Sequence, residues 1–282
     1  MYPEKLELNP KMNWFGDDYL DSEKYVHVYL HENYDIKMHA HGFYEINIIM
    51  CGVGRHYIAD TSLPAGVGDV FVIPPEIPHG YFTDDRLDIY HILLKSNFFN
   101  RYRDELSQVP GFDLLFNFEP LIRRFSGAEL NLNMSALRLE DIKKDLERIK
   151  TAEKDELYLY ENILTINFIS KLGGLFKKKL NNTDISPREN REIIGAMEYI
   201  NNNLGNKILL SDIARVANMS TATLNRRFKE FLNISPMEYV THCRVAFARE
   251  LMEEGKHTKA EIAQMCGFYD SVHMNKTLMK YE

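Results

Sequence analysis

LSDIARVANMSTATLNRRFK at 210–229 and KAEIAQMCGFYDSVHMNKTLM at 259–279 are one unit written twice. Ile213-Ala214, Ala217 and Met219, then Leu224, Arg226 and Phe228, return in order as Ile262-Ala263, Cys266 and Gly267-Phe268, then Met274, Lys276 and Leu278. The offset is 49 before the turn and 50 after it, because Tyr269 adds one residue to the second turn. Each copy reads as a short helix, a turn and a second helix. Joined by one long helix, the two copies would set their second helices into successive major-groove segments, roughly 34 Å apart on one face of duplex DNA.

The faces of those second helices follow from helical spacing. Leu224 and Phe228 lie four apart and should face a core, which turns Ala222, Asn225, Arg226 and Lys229 outward. A guanidinium can bridge O6 and N7 of guanine, worth about 1–3 kcal/mol of discrimination, and an Asn amide can pair similarly with adenine. Arg226 and Asn225 are therefore the expected base readers. On an isolated amphipathic helix an exposed Arg is more often plain solvated surface; the repeat and the capped neighbouring helices reverse that judgement. In the second copy the outward set is Ser271, Val272, Asn275 and Lys276. Lys276 offers a point charge rather than a planar fork and suits a phosphate better than a base edge.

Helix starts are marked by Ser186-Pro187-Arg188-Glu189, Ser235-Pro236-Met237-Glu238 and Thr258-Lys259-Ala260-Glu261, each a hydroxyl followed three residues later by Glu. Such boxes fix helix starts for about 1 kcal/mol each, and the exposed N-termini they create can also hold a phosphate. The polar stretch KKKLNNTDISPRE at 177–189 reads as a linker region, giving a front domain at 1–180, a linker at 181–189 and a rear domain at 190–282.

A chain of 282 residues with 45% hydrophobic residues can bury two cores. No run approaches the roughly 18 apolar residues of a membrane span, and MYPEKLELNPKMNW has no apolar secretory core, so a soluble cytoplasmic protein without a membrane partner is expected. Cys51, Cys243 and Cys266 form no CxxC pair and read as packed thiols. The net charge of −7 is unevenly placed. From Arg188 onward there are 13 Lys and Arg against 12 Asp and Glu, while the first 187 residues carry 21 against 29. The acidity belongs to the front. A rear domain this nearly neutral implies modest nonspecific DNA affinity, with binding that leans on base contacts and dimerisation.

In the front domain YVHVYL, YEINIIM, GRHYIA and DVFVIP read as short strands between turn residues, in the pattern of a small β-barrel or sandwich. From about Ser135 the period becomes helical, through Ile142, Leu146 and Ile149 and then an apolar helix from Leu157 to Phe176, a candidate dimer seam. His39 and His41 share a strand face, Glu45 joins them if the strand continues, and His79 follows later. Three imidazoles and a carboxylate could hold Zn, Fe, Mn or Ni. The same residues could instead line an effector pocket, or make only structural hydrogen bonds.

The rear residues resemble the DNA-binding domain of the AraC/XylS family of bacterial transcription regulators. The resemblance is carried by LSDIA at 210–214, LNRRFK at 224–229, SPMEY at 235–239, Arg244, Ala248-Arg249-Glu250-Leu251 and EIAQMCGF at 261–268. It implies that Ala222, Asn225 and Arg226 face bases and that Arg244 is structural. The second unit departs from the pattern at Met274, Lys276 and Leu278-Met279. His39-Ala40-His41, Glu45 and Gly52, with Gly68, Pro74 and His79 beyond, resemble the cupin barrel, although Glu76 and Thr83 depart from its second motif.

The two resemblances together imply an α+β chain. A cupin-like barrel followed by helices binds an effector and dimerises, and an all-α domain of two helix-turn-helix units binds double-stranded DNA. The effector-lining set is then His39, His41, Glu45, Arg55, Tyr57, His79 and Tyr81, with Arg55, Tyr57 and Tyr81 at the barrel mouth. Sugar is the effector class the family implies most often. RNA polymerase is a further partner, no cofactor is required, and His39, His41, Glu45 and His79 are the candidate ligands for a divalent metal. The expected protein is a homodimeric regulator and not an enzyme. Two alternatives are a metal-dependent cupin enzyme and an adaptor whose degenerate helix-turn-helix units bind protein.

Overall fold

The computed structural model describes residues 13–14, 20, 24–58, 61–120, 123, 131–182, 187–232 and 234–281. Two compact units divide the chain, Met1–Lys177 and Lys178–Glu282.

The first unit is built on strands β1 (Asn13–Trp14), β2 (Val26–His31), β3 (Ile36–His41), β4 (Tyr44–Ile58), β5 (Thr61–Gly66), β6 (Asp69–Ile73), β7 (His79–Phe82), β8 (Leu87–Leu94) and β9 (Leu132–Asn133). β4 organises the sheet. Its first half pairs antiparallel with β6 and β8, and its second half with β5 and β7. β3 pairs with β7 and β2 with β8, which wraps the sheet around an interior containing Ile49, Phe71, Tyr81, Leu87 and Ile89. The segments YEINIIM and GRHYIA, expected as two strands, are thus one strand of 15 residues. A register shift between Ile49 and Cys51 absorbs the apparent break, and Gly52 sits just beyond it at φ 84°. A Cβ at Gly52 would lie 1.7 Å from the Arg86 carbonyl oxygen, so glycine is required there. β8, LDIYHILL, goes unread in the sequence: all eight residues are buried, and the alternation of a half-exposed strand is missing.

After short helices α1 (Ser96–Arg101) and α2 (Arg103–Ser107), the unit closes with α3 (Ala136–Lys154) and α4 (Tyr158–Asn182). Both helices lie where their apolar periodicity put them. α3 packs on β2 and buries Leu139, Ile142, Leu146 and Ile149. α4 buries Leu164, Phe168, Ile169, Leu172 and Phe176, so most of the apolar stripe serves the core of its own chain. Leu157, Leu159, Tyr160 and Ile163 remain exposed.

The second unit is helical: α5 (Pro187–Asn201), α6 (Leu210–Val216), α7 (Thr221–Leu232), α8 (Pro236–Glu254), α9 (Lys259–Met265) and α10 (Ser271–Lys280). The repeat is visible in the backbone itself. The turn between α6 and α7 contains Asn218 at φ 50°, and 49 positions later the turn between α9 and α10 contains Gly267 at φ 73°. Both turns need the left-handed conformation, which Asn tolerates and Gly adopts freely. The boxes at Ser235 and Thr258 are complete, each side chain accepting from the N3 amide while Glu238 or Glu261 accepts from the cap amide. The box expected at Ser186 lies outside the described residues. Among the described residues no helix is long and apolar enough to cross a membrane.

Candidate functional site

Two sites emerge, one in each unit. In the helical unit, Leu224 and Phe228 are fully buried, as their spacing requires. Ala222, Arg226 and Lys229 are exposed and Asn225 is half-buried. Asn225 Nδ2 donates to the Thr221 carbonyl at 3.0 Å, and Arg226 Nη1 donates to Glu230 Oε1 at 2.9 Å. Arg226 must exchange an exposed, weak carboxylate partner to reach a base edge. On α10, Met274 and Leu278 are buried, Val272 and Lys276 are exposed, and Ser271 and Asn275 are half-buried. Arg244 donates from Nε to the Leu204 carbonyl at 3.1 Å and from Nη2 to that of Asn206 at 2.7 Å. It ties down the segment between α5 and α6, as expected for a structural residue.

In the sheet unit, β3, β4 and β7 bring His39, His41, Glu45 and His79 together, all buried, with one ligand atom from each lying within 4.8 Å of the others. Glu45 is the hub. Its Oε2 lies 3.1 Å from His41 Nε2 and 2.9 Å from His79 Nε2, and its Oε1 lies 2.6 Å from His91 Nδ1. Burial would raise its carboxyl, but hydrogen bonds from these three imidazoles hold it well below the ordinary carboxylate range. Burial, reinforced by His79, lowers His39 to about 4. Burial likewise lowers His79, opposed by its bond to Glu45.

The Nδ1 atoms of His39, His41 and His79 face the carbonyls of Lys37, Phe43 and Ile77 at 3.1, 2.9 and 2.9 Å. His41 and His79 therefore meet oxygen at both ring nitrogens. A neutral imidazole donates from only one nitrogen. Protonated at Nε2, each donates to Glu45; with the proton moved to Nδ1 and the carbonyl, Nε2 would instead present its lone pair beside Glu45, the arrangement in which imidazole and carboxylate share a divalent metal. This donor set fits such an ion.

Three expected pocket residues need correction. Tyr81 is not at a mouth; it is fully buried, with its hydroxyl 3.1 Å from Asn47 Nδ2, and burial followed by Glu45 pushes its phenol well above the usual value. Arg55 and Tyr57 lie on the wrong face of β4. Side chains alternate along a strand, and it is His56 that enters the interior, stacked on Tyr81 at 4.4 Å between centroids. Arg55 instead donates to Ser62 Oγ at 2.8 Å, and Tyr57 packs edge-on to Phe82. The residues missed by sequence reasoning are His56, His91, Asn47 and Arg123. Both nitrogens of His56, Nε2 of His91, Oδ1 of Asn47, and Nε and Nη1 of Arg123 are buried without a hydrogen-bond partner. Correct phasing of β4 could have found His56 and also Asn47, two residues along from Glu45 on the same strand; nothing local marked His91 or the burial of Arg123.

A sheet enclosing buried polar groups, followed by a paired helix-turn-helix unit, defines a DNA-binding regulator with a ligand-binding domain. Residues 25–163 match the model of the AraC-like ligand binding domain, and residues 213–282 match that of a helix-turn-helix domain. The chain belongs to the AraC family of transcription regulators, which are not enzymes.

Among curated relatives, the HTH-type transcriptional activator RhaR of Mannheimia succiniciproducens is 25% identical over 245 residues, covering 86% of this chain and 83% of that one. RhaS of Salmonella paratyphi A, also an HTH-type transcriptional activator, is 23% identical over 252 residues with the same coverage. Among solved structures, fatty-acid-bound ToxT of Vibrio cholerae aligns over 91% of each chain at 16% identity, with a TM-score of 0.41.

Proposed function

We propose that this regulator recognises its operator through α7 and α10 and that a small polar effector in the barrel interior changes how long the operator stays occupied. The observation that carries the DNA reading is the division of α7 into a buried Leu224/Phe228 stripe and an outward set of Ala222, Asn225, Arg226 and Lys229. Ser271, Val272, Asn275 and Lys276 are the corresponding set on α10. The unpartnered polar atoms of His56, His91, Asn47 and Arg123 support a hydroxyl-rich effector, a carbohydrate, lodged beside His39, His41, Glu45, His79 and Tyr81. Effector and DNA are coupled only as far as the effector's affinities for the two arrangements differ, commonly about 1–3 kcal/mol.

The working boundaries are an effector unit at 1–180, a linker at 181–189 and a DNA-binding unit at 190–282, supported by the compact division at Lys177/Lys178. Leu159, Tyr160 and Ile163, exposed on α4, support a homodimer contact. The protein acts in the cytoplasm, with RNA polymerase as a further partner. A second reading is favoured by the converging Nε2 atoms: a divalent metal held by His39, His41, His79 and Glu45 and supplying an electrophilic anchor for the effector. The chain's own residues fix those imidazoles through main-chain carbonyls and exclude water by burial.

Fluorescence anisotropy of the full chain on promoter fragments, with and without a panel of sugars, tests the proposal. Fragment-selective binding that shifts about 5- to 150-fold with one sugar is expected. Binding that is selective but indifferent to every sugar removes the carbohydrate effector, and binding without fragment preference removes the operator reading.

A further inference from the structure

The repeat superposes the two reading helices position by position. At the offset of 50, Ala222 corresponds to Val272, Asn225 to Asn275 and Arg226 to Lys276. The second helix has therefore kept the amide, lost the fork that bridges guanine, and gained an apolar β-branched residue at its first outward position. Val272 is 74% exposed, and Tyr269, the residue by which the second turn is longer, is 92% exposed. An exposed Val in a helix is a poorer choice than the Ala of the first copy, because its branched side chain loses rotamer freedom without burial in return.

The helix start differs as well. In the first copy Ser220 Oγ accepts from the Thr223 amide at 3.1 Å. In the second, Asp270 accepts from the His273 amide at 2.7 Å. A carboxylate at this N-terminus satisfies the helix amides and repels a phosphate, so backbone anchoring is disfavoured where apolar side chains are most exposed. Val272 shares its face with Asn275 and Lys276, three and four residues on. That mosaic of methyl groups, amide and ammonium is no apolar docking patch. It matches the major-groove edge of A·T pairs, where thymine presents its methyl and adenine presents N6 and N7.

We propose that α10 reads an A·T-specified segment, with Val272 and Tyr269 packed on thymine methyl groups and Asn275 facing adenine, while α7 reads a guanine-containing segment through Arg226. The assignment rests on the operator reading above. It makes the operator chemically asymmetric, its second half selected by methyl contact rather than by charge.

Deoxyuridine scanning tests it, since replacing thymine by uracil removes only the methyl. Duplexes selected by the wild-type full chain from a random library are resynthesised with uracil at each thymine in turn, and Kd is measured at fixed salt. One or two positions in the second segment should weaken wild-type binding about three- to fivefold each, as expected for one buried methyl. Val272→Ala and Tyr269→Ala should bind the thymine duplex more weakly and be indifferent to uracil at those positions. Both side chains are surface-exposed, so the variants keep their cores. If uracil has no effect in the second segment while Arg226→Ala still alters preference in the first, the methyl assignment is overturned and the operator reading survives. If neither segment shows base preference, both fall. If the variants bind DNA unchanged but lose activation with purified RNA polymerase, the exposed pair is a protein contact and the assignment is again overturned.

Discussion

His91 Nδ1 lies 2.6 Å from Glu45 Oε1, the shortest of the three imidazole contacts to that carboxylate, although 46 residues separate the two in sequence. The relationship follows from register: His91 pairs with Asn47 across β4 and β8, which puts it on the interior face two residues along from Glu45. Replacing His91 by Phe keeps the ring and removes the donor. The carboxylate, 3% exposed, then loses one of its three bonds. A loss of about 1–3 kcal/mol is expected, read by urea unfolding with the m-value unchanged.

Metal titration addresses the same cluster from outside. Zn2+ or Ni2+ added to the chelator-treated chain should raise Tm progressively with concentration, because a ligand that binds only the native state stabilises it by mass action. His79→Gln and His39→Gln should abolish the rise. Equal shifts in wild type and variants would point to surface binding, and no shift in any chain would remove the metal reading.

Glu161 on α4 gives a pH prediction independent of that cluster. It is 1% exposed, neither carboxyl oxygen has a hydrogen-bond partner, and burial followed by the charge of Glu153 raises it to about 8. A carboxyl raised in the folded state holds its proton there while the unfolded chain has released it. Stability is therefore expected to fall as pH rises from about 4.5 to about 8 and to level off above. Glu161→Gln, uncharged at every pH, should exceed wild type in Tm at pH 8 and lose that advantage toward pH 5. An advantage that does not vary with pH would contradict the buried, protonated state.

The matched turns offer a paired test. At Gly267 a Cβ would meet the Leu204 carbonyl oxygen at 2.2 Å and the Arg244 guanidinium at 2.6 Å. Gly267→Ala should destabilise the helical unit by more than about 1 kcal/mol, through left-handed strain together with the clash. Asn218→Gly, at the equivalent turn, should change stability by only a few tenths of a kcal/mol. Thermal melts of the full chain compare the two.

The helical unit was the more legible half. Its signals are local: apolar residues at helical spacing, capping boxes at Ser235 and Thr258, and a repeat that checks itself through Asn218 and Gly267. The sheet unit was read in part. His39, His41 and Glu45 lie close in sequence and betray their common face, and His79 joins them as expected. His91 sits on a strand buried on both faces, where no alternation shows, and the bulge after Ile49 hides the phase of β4, so the sequence points inward at Arg55 and Tyr57 rather than at His56. Arg123 pairs with Glu119 four residues back, a local spacing, but its contact with the Val72 carbonyl, 51 residues away, comes only through tertiary packing.

The most direct measurement is in-vitro selection of duplexes by the wild-type full chain and by Arg226→Ala at one salt concentration, followed by Kd on the selected sites. A guanine specified by the wild type in the segment under α7 should be relaxed in the variant, with about 10- to 100-fold less discrimination there and the other segment unchanged. Identical selected sequences and identical Kd values from the two proteins would contradict base reading by Arg226 and the assignment of α7 as a recognition helix.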